Sequence, residues 1–267
     1  MPNVLHFKAE PAREGLVEVL SPRNSASEGL ELSLLKLAPG QFQAGASEGL
    51  ESVLVVMSGR CDIEAGGNRW EGVGGRRHVF DGRAATVFLP AGCEFRAGSE
   101  GGAEVAVIRA PAPPGGEPYL IGPDEVEVVE RGTGSHRREV HTILDSKRSA
   151  GALIVGETFN RPGAWSSYPP HKHDVDDLPR QASLQEVYHF RLDPSQGFGI
   201  QRVYSPERGF DMAYVVEDRD SVLIPYGYHP VVAGAGYRLY YLWALAGQGR
   251  TLAMVEDPDH EWLGNRS

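Results

Sequence analysis

Cysteine is nearly absent, with two residues, Cys61 and Cys93, in 267. Neither has a Cys-x-x-Cys partner, which excludes a disulfide scaffold and a cysteine-rich zinc site. Positive charge is also short: 26 Lys and Arg stand against 36 Asp and Glu, a net charge of -10. That balance argues against an electrostatic grip on nucleic acid or anionic lipid, which takes clustered cations. Long apolar runs are missing, so no segment reaches membrane-spanning length. The start, Met1-Pro2-Asn3-Val4-Leu5-His6-Phe7, lacks the basic and apolar regions of a signal peptide. The expected location is the cytoplasm. Long helical periods are scarce as well; only Asp124 to Glu130 and Arg138 to Asp145 have any claim to helix or to an irregular crossover.

Short β-rich runs punctuated by 33 Gly and 19 Pro take the place of helices. They include Leu30 to Leu37, Ser52 to Met57, Ala84 to Leu89 and Val105 to Ile108. In the second half they include Leu153 to Gly156, Glu186 to Arg191, Gly199 to Tyr204, Met212 to Val216, Ser221 to Ile224 and Tyr237 to Leu245. This pattern predicts an all-β sandwich or barrel. The Pro-rich stretch from Ala110 to Pro118 reads as a linker. An internal repeat supports duplication: Thr86 to Gly92 (TVFLPAG) matches Ser221 to Gly227 (SVLIPYG). The expected architecture is two β-barrel or jelly-roll domains, residues 1–118 and 119–267.

The chemistry concentrates in Tyr168-Pro169-Pro170-His171-Lys172-His173-Asp174, with Glu186 and Gly227-Tyr228-His229-Pro230 further on. On an extended segment His171 and His173 face one side, and Lys172 and Asp174 the other. Glu186 shares a face with Tyr188 and Phe190, which turns His189 away and excludes it as a ligand. His229 follows a Pro-x-Gly turn. Three imidazoles and one carboxylate suit one borderline divalent ion: Zn, Mn, Fe, Co or Ni. Each His alone is more often an ordinary surface or buried residue; the ordered set favours a metal site. The first half has no His-x-His pair and carries Glu94 where the second has His229, so a metal is expected in the second domain only. His6, His78, His136, His141 and His260 read as surface or locally bonded. Asp176, Asp177, Asp257, Asp259 and Glu261 read as solvated charge.

The order His-x-His, Glu, His on a Pro/Gly-rich β chain resembles the cupin superfamily, which implies a bicupin. The gap from His173 to Glu186 is longer than usual, and the turn before His229 is one residue shorter. Both departures fit a narrower family. Trp165 to Asp174, Gly197 to Tyr204, Gly227 to Val231, and Tyr240-Tyr241-Leu242 with Ala246-Gly247 resemble the 5-deoxy-glucuronate isomerases of myo-inositol catabolism. The likeness is dense from Gly156 to Gly247 and thinner before it. It implies an aldose–ketose isomerase that converts 5-deoxy-D-glucuronate to 2-deoxy-5-keto-D-gluconate, a small sugar acid being its partner. The ion would chelate adjacent carbonyl and hydroxyl oxygens and stabilise an enediolate.

Such a reaction also needs a proton shuttle. Tyr241 is a candidate, against the alternative of barrel packing. Gln201 and Arg202 alternate, so one of them faces the cavity: Gln to hold a hydroxyl, or Arg to hold the substrate carboxylate. A surface ion pair is the alternative for Arg202. Lys172 is a further carboxylate candidate, but it is turned from the metal. The related 5-keto-4-deoxyuronate isomerases, a cupin dioxygenase and a non-catalytic sugar-binding bicupin are the competing functions. Exposed edge strands make a homodimer the expected assembly.

Overall fold

The structure is a computed structural model that describes residues 5–9, 13–46, 49–247 and 249–263. The Met1-to-Val4 start, read above for targeting, lies outside the described residues. Those described form strands and short 3-10 turns, with no α-helix among them. The two stretches with a claim to helix resolve into a 3-10 turn, Pro123–Glu125, and two strands, Glu127–Arg131 and Arg138–Leu144. In the second strand His141 and Ile143 are buried in alternation, a period that a helix does not accommodate.

The chain divides into two compact units. One takes the segment ending at Ala9, Val128–His141 and the chain from Val155 onward. The other takes the intervening chain up to Glu127 together with Thr142–Ile154. This differs from a single boundary after residue 118: the boundary falls after Glu127, and the segments ending at Ala9 and spanning Thr142–Ile154 change sides. The His6–Phe7 strand pairs with Ser221–Ile224. Asp220 then accepts hydrogen bonds from His6 Nε2, Lys8 Nζ and the Ala9 N–H. At the other end, buried Glu51 accepts from the N–H groups of Gly151, Ala152 and Leu153 at 2.6, 2.8 and 2.7 Å. Neither tie has a signal in the local sequence.

In the first-half unit the main sheet runs Tyr119–Ile121, Thr86–Leu89, Leu50–Ala65, Ala103–Pro111, Glu31–Leu37, Gly15–Leu20. The long strand Leu50–Ala65 leaves it after Gly59 to pair with Asn68–Gly74 and Glu94–Ser99. Between the two groups lies an aliphatic core that includes Leu54, Val56, Ile63, Val87, Phe95 and Val105. Cys61 is buried in it, and burial pushes its thiol up to about 12, so it is an inert packing residue.

In the second unit the main sheet repeats that order: His6–Phe7, Ser221–Ile224, Gln181–Asp193, Arg238–Gly247, Leu153–Asn160, Arg138–Leu144, Glu127–Arg131. The repeated Pro-x-Gly motif ends the equivalent strand in each sheet. In register, Ile224 faces Glu186, while Leu89 faces Ser52. The carboxylate of one repeat is thus a serine in the other, buried and with no hydrogen-bond partner for its hydroxyl among the described residues. Trp165–Ser166, Val231–Ala233, Phe198–Ser205 and Phe210–Glu217 form a second sheet, and His171–Lys172 pairs with Val255–Glu256.

Candidate metal centre

His173, Glu186 and His229 converge, with one donor atom from each lying within 4.8 Å of the others. All three are buried, none more than 5% exposed. Glu186 is held by the centre of the main sheet, its strand paired on both sides. His173 Nδ1–H donates to the Leu184 carbonyl at 2.9 Å, and His229 Nδ1–H to the Gly227 carbonyl at 2.9 Å. Both bonds force the tautomer that leaves Nε2 unprotonated or free to lose a proton. Both Nε2 atoms then stand 3.2 Å from the same Glu186 Oε2. The His229 Nε2 is buried and makes no aligned hydrogen bond. Imidazoles tied at one nitrogen to a backbone carbonyl, with the other aimed at a carboxylate, fit a divalent cation.

Neighbouring residues build this geometry. Gly227 has φ +87°, and a Cβ there would stand 2.5 Å from the Tyr204 carbonyl oxygen, so the turn before His229 requires glycine. Asp174, opposite His173 by alternation, accepts the Gly227 N–H at 2.9 Å and ties the two motifs together. Asp257 is a correction: it is buried rather than solvated. It accepts the Tyr204 hydroxyl at 2.5 Å, and its N–H donates to the Pro170 carbonyl at 2.8 Å, just before His171.

The buried His173–Glu186 contact shifts both groups toward their charged forms. Burial opposes the His173 proton most strongly, but the Glu186 hydrogen bond outweighs it and raises the imidazole above 6.5. Burial likewise opposes the Glu186 charge, and the hydrogen bond with His173 and the close approach of His229 overcome it and bring the carboxyl to about 2. His171 falls well below 6.5, first through burial and then through its neighbours His229 and His173, so it is a neutral imidazole.

The other residues singled out from sequence divide. His171 lies outside the 4.8 Å group, yet its ring stands edge-on to His229 with centroids 4.8 Å apart. Tyr241 is buried, donates to Ser166 Oγ at 3.0 Å and stacks on Tyr188 at 4.2 Å. Gln201 is fully buried; its amide nitrogen donates to the carbonyls of His229 and Pro230 at 2.7 and 3.3 Å and so holds the His229 backbone, while its Oε1 accepts no hydrogen bond among the described residues. Arg202 turns to the opposite face, where Asp211 takes both ends of its fork at 2.8 and 2.7 Å, so the structure does not bring it to the cluster. Lys172 is spent on Glu207 at 3.1 Å. His189 points away and bonds Ser221 Oγ at 2.9 Å. His141 is buried with a local partner, Glu139, at 2.7 Å. Glu94 is exposed.

Two residues went unselected in the sequence. Tyr188, two residues past Glu186 on the same face, has its ring 6.0 Å from His229 and shares a hydrogen bond with Ser167 Oγ at 2.8 Å. The alternation signal that chose Glu186 points to it as well. Arg138 had no local signal.

Comparison with known proteins places the chain in a family. The KduI/IolB family matches residues 5–263. The 5-deoxy-glucuronate isomerase of Geobacillus kaustophilus is 40% identical, over 95% of this chain and 92% of its own. That of Bacillus subtilis strain 168 is 36% identical, over 94% and 93%. The crystal structure of an IolB-like protein from Salmonella typhimurium LT2 superposes with a TM-score of 0.93 at 34% identity, covering 98% of this chain and 99% of that one. Bacillus subtilis oxalate decarboxylase, a protein with Mn(II) centres, shares the fold at a TM-score of 0.66 and 13% identity, covering 96% and 80%. With its all-β cupin-like architecture and a match along nearly its full length, this chain belongs to the KduI/IolB family of isomerases.

Proposed function

We propose that this chain is a 5-deoxy-glucuronate isomerase that interconverts 5-deoxy-D-glucuronate and 2-deoxy-5-keto-D-gluconate. The observation that carries the reading is the buried His173–Glu186–His229 donor cluster, in a chain aligned almost end to end with proteins of that name. His173, Glu186 and His229 hold one divalent ion, with His171 as the fourth donor. The first-half unit is a second cupin barrel that has lost its ligands, and makes the protein a bicupin. When bound, the ion acts as a Lewis acid toward the carbonyl end of the open-chain sugar. The chain's own residues do the rest. The carbonyls of Leu184 and Gly227 orient the two imidazoles. Burial, then the Glu186 charge, raises the Tyr188 hydroxyl well above 10, so its Oη keeps a proton and serves as a donor, with Ser167 as its relay. Tyr241 keeps that ring in place by stacking.

The test is a side-by-side assay of metal-loaded protein with 5-deoxy-D-glucuronate and 5-keto-4-deoxyuronate, in air and under nitrogen. Ketose formation from the first, independent of O₂, is expected. Turnover of the second alone gives the related uronate isomerase instead, and O₂ consumption gives a dioxygenase.

Metal uptake has a pH signature. The ion must displace the His173 proton, because a ligating imidazole is neutral. The raised His173 gives the fold support that is fully present below 6.5 and is lost as pH rises through its folded value. Glu186 gives support above 4.5 that is lost only as pH falls through about 2. Uptake near neutral pH is therefore expected to release protons, and affinity to rise with pH until His173 is deprotonated. Titration in weakly buffered solution reads the release; no release at pH 6 would contradict the His173–Glu186 pairing.

Gln201→Leu is expected to weaken metal affinity about tenfold, the lower end of the range for losing a residue that supports a ligand. Competition with a chelator of known affinity measures it, and unchanged affinity would mean that the His229 backbone does not need Gln201.

A further inference from the structure

Arg138 is a half-buried cation that closes no ion pair among the described residues; the Glu256 carboxylate acts on it only through longer-range charge. Other arginines of its unit close ion pairs: Arg137 and Arg161 share Glu130, and Arg238 holds Asp193. Arg138 commits a single nitrogen, Nη1, which donates to the carbonyls of His136 and Tyr168, each at 3.2 Å. The Tyr168 carbonyl opens the Pro169-Pro170-His171 segment, so the guanidinium is moored beside the histidine motif. The loop 132–136 closes on the same nitrogen. A Cβ on Gly132, whose φ is +73°, would stand 2.7 Å from Nη1.

These two bonds leave the Nε–Nη2 edge of the fork unused, and that edge has the geometry of a carboxylate. The guanidinium lies within electrostatic range of Tyr241, Tyr188 and His171, the residues that flank the donor cluster. Burial weakens its hold on the proton, but an arginine stays charged throughout the physiological range. A charge withdrawn from water without a partner is unfavourable, and an incoming anion relieves that cost.

We propose that Arg138 is the carboxylate anchor of this site. Its Nε–Nη2 edge takes the terminal carboxylate of a sugar acid whose carbonyl end faces His173, Glu186 and His229, with Tyr188 and Tyr241 between. This rests on the sugar-acid reading above and supplies the role that Arg202, bound to Asp211, does not fill. It gives the site a means of selecting an acid over a neutral aldose, since a neutral chain end leaves the guanidinium without an ion pair.

The experiment compares wild-type protein with Arg138→Gln and Arg138→Lys, all metal-loaded, with metal content and thermal melting measured on each. KM is measured for 5-deoxy-D-glucuronate. Calorimetry measures binding of two probes that cannot isomerise: borohydride-reduced 5-deoxy-D-glucuronate, and the equally reduced neutral sugar, 5-deoxy-D-glucose. Arg138→Gln is expected to raise KM and the Kd of the reduced acid by roughly 10- to 100-fold, the range for a charged hydrogen-bonded pair. The Kd of the reduced neutral sugar and the metal content stay at wild-type values. Arg138→Lys, which keeps charge without the planar fork, loses less; if the Gln variant does not fold, a loss by Lys confined to the acid carries the same conclusion. Wild-type affinity for the acid in Arg138→Gln, or equal loss of both probes, overturns the anchor. Failure of wild-type protein to bind the reduced acid overturns it too. Arg138-dependent binding of the acid without turnover leaves the anchor standing and removes the isomerase reading.

Discussion

Chelator-treated protein is expected to isomerise 5-deoxy-D-glucuronate at least about a thousandfold more slowly than metal-loaded protein. A Lewis acid at the reacting oxygens contributes several kcal/mol, and each 1.36 kcal/mol is tenfold in rate. The loss falls on kcat, because the strongest interaction is with charge that develops in the transition state. Glu186→Gln and His229→Ala are expected to reach the same floor by another route. Glu186→Gln keeps the shape of the side chain but removes the carboxylate oxygen that stands 3.2 Å from both imidazoles. His229→Ala removes the Nε2 that has no aligned hydrogen bond in the protein. Elemental analysis of the purified variants should show substoichiometric metal, and added metal should restore the chelated wild type but neither variant. Full activity in rigorously metal-free protein would end the metal-dependent reading and leave the family assignment untouched. His171→Ala separates two roles for the ring beside the cluster: metal loss makes it a ligand, and full occupancy with reduced rate makes it a base.

Glu51→Ala is expected to destabilise the first-half unit by roughly 3 kcal/mol or more. The carboxylate is almost wholly buried and is the acceptor for three consecutive N–H groups, from Gly151 to Leu153. Removing the acceptor leaves those donors without a partner, at about 1–3 kcal/mol for each that water cannot reach. Glu51→Gln retains one acceptor oxygen and should lose about half as much. Urea unfolding followed by tyrosine and tryptophan fluorescence measures the shift in midpoint. A Glu51→Ala protein that unfolds at the wild-type urea concentration would show that this carboxylate does not hold the 151–153 segment. No motif marks Glu51, which in sequence is one more acidic residue at the start of an apolar run.

The sequence by itself determined the all-β class, and it pointed to the internal repeat and to the candidate donors. These rest on local properties of the chain. Short runs of β-branched and aromatic residues cut by Gly and Pro allow little but strands. The two-residue period assigns each side chain to a face without knowledge of its partner. That period separated Glu186 from His189 and His173 from Asp174, and the cluster and its outward-facing neighbours follow it. It reaches Tyr188 on the same terms. The Pro-x-Gly repeat was legible because a turn is a local event, and it ends equivalent strands in the two sheets.

Tertiary structure decided what depends on partners far along the chain. Alternation could say that either Gln201 or Arg202 faces inward, but not that Asp211 would bind Arg202 across the hairpin, or that Gln201 would serve the His229 backbone. Nor could it find Arg138, whose neighbours are carbonyls two and thirty residues away. Asp257 reads as solvated in a run of acids until Tyr204 comes to it from 53 residues away. The same limit governs the unit boundaries, which Asp220 and Glu51 set by gathering distant backbone N–H groups. A side chain's face is written in its strand, whereas the fate of a charge is settled by whichever opposite charge or backbone dipole the fold brings within hydrogen-bonding reach of it.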